Sequence, residues 1–183
     1  MTRPLPMSQH PMVRLLADAV RPMLRRPRAM QVAALCVRTG ADGGPEVLLI
    51  TSRGTGRWVL PKGWPMAGRS LSEAAAQEAW EEAGVRGTVA ALPLGRYGAE
   101  KQTDGGLSVP CRVEVFALQV TDIADRFPEA GQRTRRWVSP AAAAEMVREP
   151  DLRALLARCI GPVPPTPTPS NPAPSLPGGI AAG

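Results

Sequence analysis

Residues 61–85 read Pro-Lys-Gly-Trp-Pro-Met-Ala-Gly-Arg-Ser-Leu-Ser-Glu-Ala-Ala-Ala-Gln-Glu-Ala-Trp-Glu-Glu-Ala-Gly-Val. A Gly- and Pro-rich loop gives way to helical sequence at Ser70, and Gly84 stops it. Ser70 with Glu73 three residues on is a capping-box pattern. Taking 100° per residue from Leu71, Glu78 and Glu82 fall within about 20° of the side that carries Leu71, Ala74 and Ala75, and Glu81 about 80° away. The three carboxylates therefore continue an inward face. They repel one another. Neither Glu78 nor Glu81 has a Lys or Arg four residues on, and Arg86, four beyond Glu82, lies past the helix-stopping Gly84. A cation from elsewhere should neutralise them, and a divalent metal ion is the simplest.

Working outward, Gln31–Arg38 and Glu46–Ser52 read as two apolar strands joined by the Gly- and Asp-rich turn of residues 39–45. Trp58-Val59-Leu60 is a short extended piece. Beyond the helix, residues 86–97 read as an irregular strand and residues 98–106 as a polar loop. Residues 107–120 alternate best. Val109, Cys111, Val113, Val115 and Ala117 share one face, and Arg112, Glu114, Phe116 and Leu118 the other. A short strand over 133–139, a helix from Pro140 with proline at its first position, and a helix over 151–159 follow. This order predicts an α/β sandwich with a mixed sheet between helices.

The 183 residues suffice for one domain with its own core. No apolar run reaches the roughly 20 residues of a membrane span, and no secretory signal is read. Three cysteines without short spacing argue against a disulfide framework or a zinc site. Cys36 and Cys111 read as buried thiols, and the expected compartment is the cytoplasm. The one histidine, His10, lies in the leader, which disfavours chemistry on a histidine base. Of the net charge of +6, residues 1–30 carry +5, through six arginines against Asp18. The domain itself is close to neutral, so nucleic-acid binding through the whole fold is disfavoured. Residues 1–29 are expected to be a basic arm, partly disordered or a short docking helix; a targeting leader is the other reading. Residues 30–160 form the expected domain. Residues 161–183, with eight prolines and no charge, form an expected disordered tail.

Gly63–Val85 resembles the Nudix box, G-x5-E-x7-R-E-U-x-E-E-x-G-U, where U is a bulky apolar residue. Gly63, Glu78, Glu81, Glu82, Gly84 and Val85 match. Arg69 stands where the box has its first glutamate, Gln77 where it has arginine, and Ala79 is small for an apolar position. Residues 58–63 and 133–137 look most like the diphosphoinositol polyphosphate phosphohydrolase branch.

The resemblance implies a Nudix-type α/β/α sandwich that hydrolyses a phosphoanhydride in a polyphosphorylated small molecule, with Mg²⁺ or Mn²⁺. Hard oxygen donors suit such ions. Glu78 and Glu82 are the expected direct ligands, with Glu81 a further ligand or the base, and the Lys62 carbonyl is an implied ligand. Glu129 and Glu114 are candidates for a carboxylate from outside the box. Phosphates need cationic partners; Arg53, Arg57 and Lys62 flank the loop, and Arg133, Arg135 and Arg136 form a second basic cluster. Trp80, opposite the glutamates, reads as packing. The paired departures at Arg69 and Gln77 keep the local charge balance and are expected to weaken metal affinity without abolishing it. A binding module without turnover and an RNA-end hydrolase using the basic arm are the alternatives. Oligomeric state is not readable from these residues.

Overall fold

The computed structural model describes residues 29–102 and 108–158; the basic arm and the Pro-rich tail lie outside them. Eight strands form one mixed sheet: β1 (Ala29–Thr39), β2 (Pro45–Thr51), β3 (Trp58–Val59), β4 (Lys62–Gly63), β5 (Val85–Val89), β6 (Gly95–Gln102), β7 (Ser108–Ile123) and β8 (Arg135–Val138). Among the described residues three helices accompany them, α1 (Leu71–Ala83), α2 (Pro140–Met146) and α3 (Pro150–Arg158). The path runs β3-β2-β1-β7-β5, with β4 on β1, β6 on β7 and β8 on β2.

The β1–β7 pair is parallel, from Ala29↔Cys111 to Val37↔Gln119, and all other pairs are antiparallel. A parallel pair needs a long crossover, and α1 lies within this one. The central β1 is apolar on both faces because both are covered. Ala33 and Leu35 pack with Leu49, Val115, Leu152 and Leu156 on the side of α2 and α3. Val32, Ala34 and Cys36 pack with Ile50, Leu118 and the alanines 74, 75, 79 and 83 of α1 on the other. Each fully buried Leu or Ile contributes roughly 1.5–3 kcal/mol. The small side chains on α1 let its backbone lie close to the sheet. The expected α/β/α sandwich with a mixed sheet is thus present.

Three details differ from the sequence reading. Residues 98–102, expected as part of a polar loop, are strand: β6 runs Gly95–Gln102 and pairs with β7 over eight positions, Gly95↔Val115 to Gln102↔Ser108, and residues 103–106 of that loop lie outside the described residues. The irregular strand expected over 86–97 is β5 and the start of β6, separated by a loop. The short strands β3 and β4 are held by β2 and β1. Cys36 and Cys111 are both buried. Among the described residues, no helix is long and apolar enough to cross a membrane.

Candidate active site

Helix α1 begins and ends as its sequence dictates. Ser70 is the N-cap, its Oγ accepting from the Glu73 backbone N–H while the Glu73 carboxylate accepts from the Ser70 N–H at 2.7 Å. The bonds that the Glu73 carboxylate accepts from the Ser70 N–H and then from the Ser70 hydroxyl hold it below its ordinary range. Gly84 closes the helix in the left-handed region, φ 66°, with its N–H donating to the Trp80 carbonyl at 2.9 Å. Between the caps, Glu82 is buried, and Glu78 and Glu81 are half-buried.

The Pro61–Gly63 segment is laid against this helix by β4. The Lys62 N–H donates to Glu82 Oε2 at 2.9 Å. Gly63 has no room for a side chain: a Cβ would lie 1.9 Å from Glu78 Oε1. The glycine of the loop is therefore the seat of the first glutamate, a spatial reason for spacing them fifteen residues apart.

A cavity of about 410 Å³ opens here. Glu78, Glu81, Glu82 and Glu129 line it, and so do Arg53, Arg57, Lys62 and Arg133. The Arg133 side chain is largely covered; its Nε donates to Glu129 Oε2 at 2.8 Å, its Nη1 to the Thr51 carbonyl at 3.1 Å, and its Nη2 to Glu82 Oε1. Arg53 Nη1 lies 3.3 Å from Glu129 Oε1, and Arg57 Nη1 3.8 Å from Glu149 Oε1. Glu129 is drawn to the helix by its own N–H, which donates to the Glu81 carbonyl at 3.0 Å.

The electrostatics follow from this crowding. Burial first, and then Glu82, Glu81 and Glu129, push the Glu78 carboxyl up to about 7, with Lys62 acting the other way. Burial also raises Glu82, against the Lys62 N–H and Arg133. The expectation that the glutamates lack a protein cation needs correction for Glu82, because Arg133, 51 residues away in sequence, is folded onto it. Among the described residues, no three acidic, His or Cys side chains converge tightly enough to enclose an ion with their present rotamers. The donor set is nonetheless all oxygen, and Glu78 is held in a site short of positive charge. Both features fit a hard divalent cation.

The other predicted residues sort clearly. Of the second basic cluster only Arg133 reaches the cavity. Arg135, expected among the substrate cations, instead donates through Nη1 to the carbonyls of Ala83 at 2.8 Å and Ala124 at 3.0 Å, and it covers the Phe127 ring. It ties down the C-terminus of α1, where a cation is favoured. Arg136 lies over the Trp58 ring, its Cζ 5.9 Å from the centroid. Glu114 pairs with Arg112 at 3.1 Å and does not line the cavity, whereas Glu129 does. Trp80 packs under Arg86, away from the glutamates.

Sequence reading missed Gln31, Trp64, Glu100 and Glu149, which also line the cavity. Gln31, buried at the start of an apolar strand, was the one with a local signal. Glu149 had none, because the turn before α3 brings it in.

Known proteins resemble this chain over the same domain. A model of the NUDIX domain matches residues 29–159. "Nudix hydrolase 12, mitochondrial" of Arabidopsis thaliana is 37% identical over 110 residues, covering 56% of this chain and 52% of that protein. Diphosphoinositol polyphosphate phosphohydrolase 3-beta of Bos taurus is 30% identical over 125 residues, covering 67% and 72%. The chain spans about half the length of some of these curated relatives. Among solved structures, a C. elegans Ap4A hydrolase binary complex superposes with a TM-score of 0.53 at 20% identity, covering 71% of this chain and 93% of that one. A MutT protein from Methanosarcina mazei Go1 gives 0.53 at 25% identity, covering 73% and 94%. These two share the fold.

Proposed function

Because this chain belongs to the Nudix family, we propose that it hydrolyses a phosphoanhydride bond in a polyphosphorylated small molecule of the diphosphoinositol polyphosphate or dinucleoside polyphosphate type. The observation that carries this reading is the cavity in which six glutamates meet four basic side chains. The cations suit a dense cluster of phosphate oxygens, and the carboxylates suit a divalent ion, Mg²⁺ or Mn²⁺. The 30% identity to a diphosphoinositol polyphosphate phosphohydrolase supports the first substrate type.

Glu78 and Glu82 would hold the ion, with the Lys62 carbonyl as a further donor. When bound, the ion supplies charge neutralisation and polarisation of the phosphoryl oxygens. The chain's own residues do the rest. Arg53 and Arg57, on the loop between β2 and β3, and Lys62 bind and orient the phosphates. Glu81 is assigned as the base that takes a proton from the attacking water. Its carboxylate accepts from the neutral Gln77 amide, whereas both oxygens of Glu129 are engaged by guanidinium groups. Glu129 therefore positions Arg133. Buried thiols at Cys36 and Cys111 suit a reducing compartment, for which the cytoplasm is our reading.

A binding module without turnover is the second reading, favoured by one observation: Arg133 already neutralises Glu82. One assay separates the two. The protein is incubated with Mg²⁺ or Mn²⁺ and a panel of inositol pyrophosphates and dinucleoside polyphosphates, beside Glu82→Gln. Hydrolysis that drops at least about 100-fold in the variant is expected. Full activity in Glu82→Gln would sink the mechanism, and binding without hydrolysis by the unaltered protein would favour the module.

A further inference from the structure

The two departures from the box touch each other. Arg69, in the loop before α1, donates from Nη1 to Gln77 Oε1 at 3.0 Å. Gln77 in turn donates from Nε2 to Glu81 Oε1 at 2.7 Å. Gln77 and Glu81 are one helical turn apart, so their side chains meet on one face. Arg69 reaches them because Gly68, at φ +76°, turns the chain back before the N-cap.

The chemistry of the three groups fixes the direction of this chain of bonds. A guanidinium only donates and a carboxylate only accepts. The amide between them can satisfy both in one orientation alone, with its oxygen toward Arg69 and its nitrogen toward Glu81. If Arg69 were replaced by a carboxylate, as in the box, the amide nitrogen would be drawn to it. The amide oxygen would then face the Glu81 carboxylate, acceptor against acceptor.

We propose that Arg69 is a positioning residue for Glu81, acting through Gln77, and that the two departures from the box are a single coupled substitution. The box's pair has a carboxylate at position 69 and a guanidinium at 77, and the guanidinium can donate both ways. This chain has the charge at the outer position and a polarised neutral relay at the inner one. Either arrangement presents a donor to Glu81. The mixed arrangement, a carboxylate at position 69 beside Gln77, does not. The proposal rests on the assignment of Glu81 to the reaction made above.

A double-mutant cycle tests it, read out in three ways. Arg69→Glu is expected to lower kcat about tenfold or more with KM little changed, since the loss falls on a proton-transfer group. Arg69→Glu combined with Gln77→Arg should recover to within about threefold of the unaltered protein, and Arg69→Lys, which can still donate, should retain most activity. Mn²⁺ affinity, titrated without substrate, should follow the same non-additive order. In the metal-free protein, the Gln77 side-chain amide protons should show through-space NMR contacts to the Glu81 side chain, kept in Arg69→Lys and moved to the side chain at position 69 in Arg69→Glu. Additive losses across the cycle, or the same amide-to-Glu81 contacts in the unaltered protein and Arg69→Glu, would overturn the coupling. If nothing in the substrate panel is hydrolysed, the functional reading falls, and the amide contacts still decide the relay.

Discussion

The carboxylate of Glu78 is half-buried over Gly63, and Glu82, Glu81 and Glu129 all oppose its ionisation. Its ordinary value of 4.5 rises to about 7. Between those two values the folded protein holds a proton that the unfolded chain has released. Linkage then gives a definite sign: the stabilisation is fully present below 4.5 and is lost as pH rises through about 7. Thermal melts in chelator should therefore show a midpoint that falls over this window. Glu78→Gln, which removes the charge and keeps the shape, should melt higher than the unaltered protein at about pH 8 and show a flatter profile. A variant less stable at that pH would mean that Glu78 is held by a favourable contact, not confined in a repulsive one. Added Mg²⁺ should recover the alkaline loss in the unaltered protein but not in the variant, because only the former presents that carboxylate.

Helix α1 is the element that delivers three glutamates to the cavity, and its C-terminal stop sets where Glu81 and Glu82 lie. At Gly84 a Cβ would sit 2.5 Å from Phe127 Cδ1 and 2.7 Å from the Ala124 carbonyl, on a backbone with φ +66°. Gly84→Ala should cost roughly 1–3 kcal/mol in urea unfolding, and a neutral result would mean that the 124–127 loop yields freely. This helix was legible in the sequence because its determinants are local: Ser70 and Glu73 are three apart, and Gly84 directly follows the last turn. The sandwich was legible because the alternation of β7 and the apolar run of β1 report two covered faces. Strand β6 was not, since Gly95, Gly98 and its polar residues show no alternation and become extended only through β7. The site divides along the same line. The glutamates and the Lys62-Gly63 loop could be read from spacing, but the fate of three neighbouring arginines could not. Arg133 goes to Glu82, Arg135 to the end of α1, and Arg136 to Trp58, because each partner lies far off in sequence and is brought in only by the fold.

At the scale of the whole molecule, Arg133 joins parts that the chain keeps far apart. Its guanidinium holds the end of β2 through the Thr51 carbonyl, α1 through Glu82 and the 124–134 loop through Glu129. The side chains of the pair with Glu82 are only 6% and 9% exposed, so water is a poor substitute partner for either charge. Removing one member of such a pair strands the other, at a cost of about 3–5 kcal/mol. Arg133→Met, which preserves much of the volume, should accordingly lower the metal-free unfolding free energy by an amount of that order. The same substitution frees Glu82 and one oxygen of Glu129 to accept a different cation. In the unaltered protein an incoming Mg²⁺ must share Glu82 with the guanidinium, and in the variant it need not. A ligand that binds only the folded state stabilises it in proportion to the logarithm of its affinity. Mg²⁺ should thus raise the melting midpoint of Arg133→Met by more than it raises that of the unaltered protein. Equal Mg²⁺-dependent shifts in the two proteins would mean that Arg133 and the ion do not compete for Glu82, and that the arginine serves the fold alone.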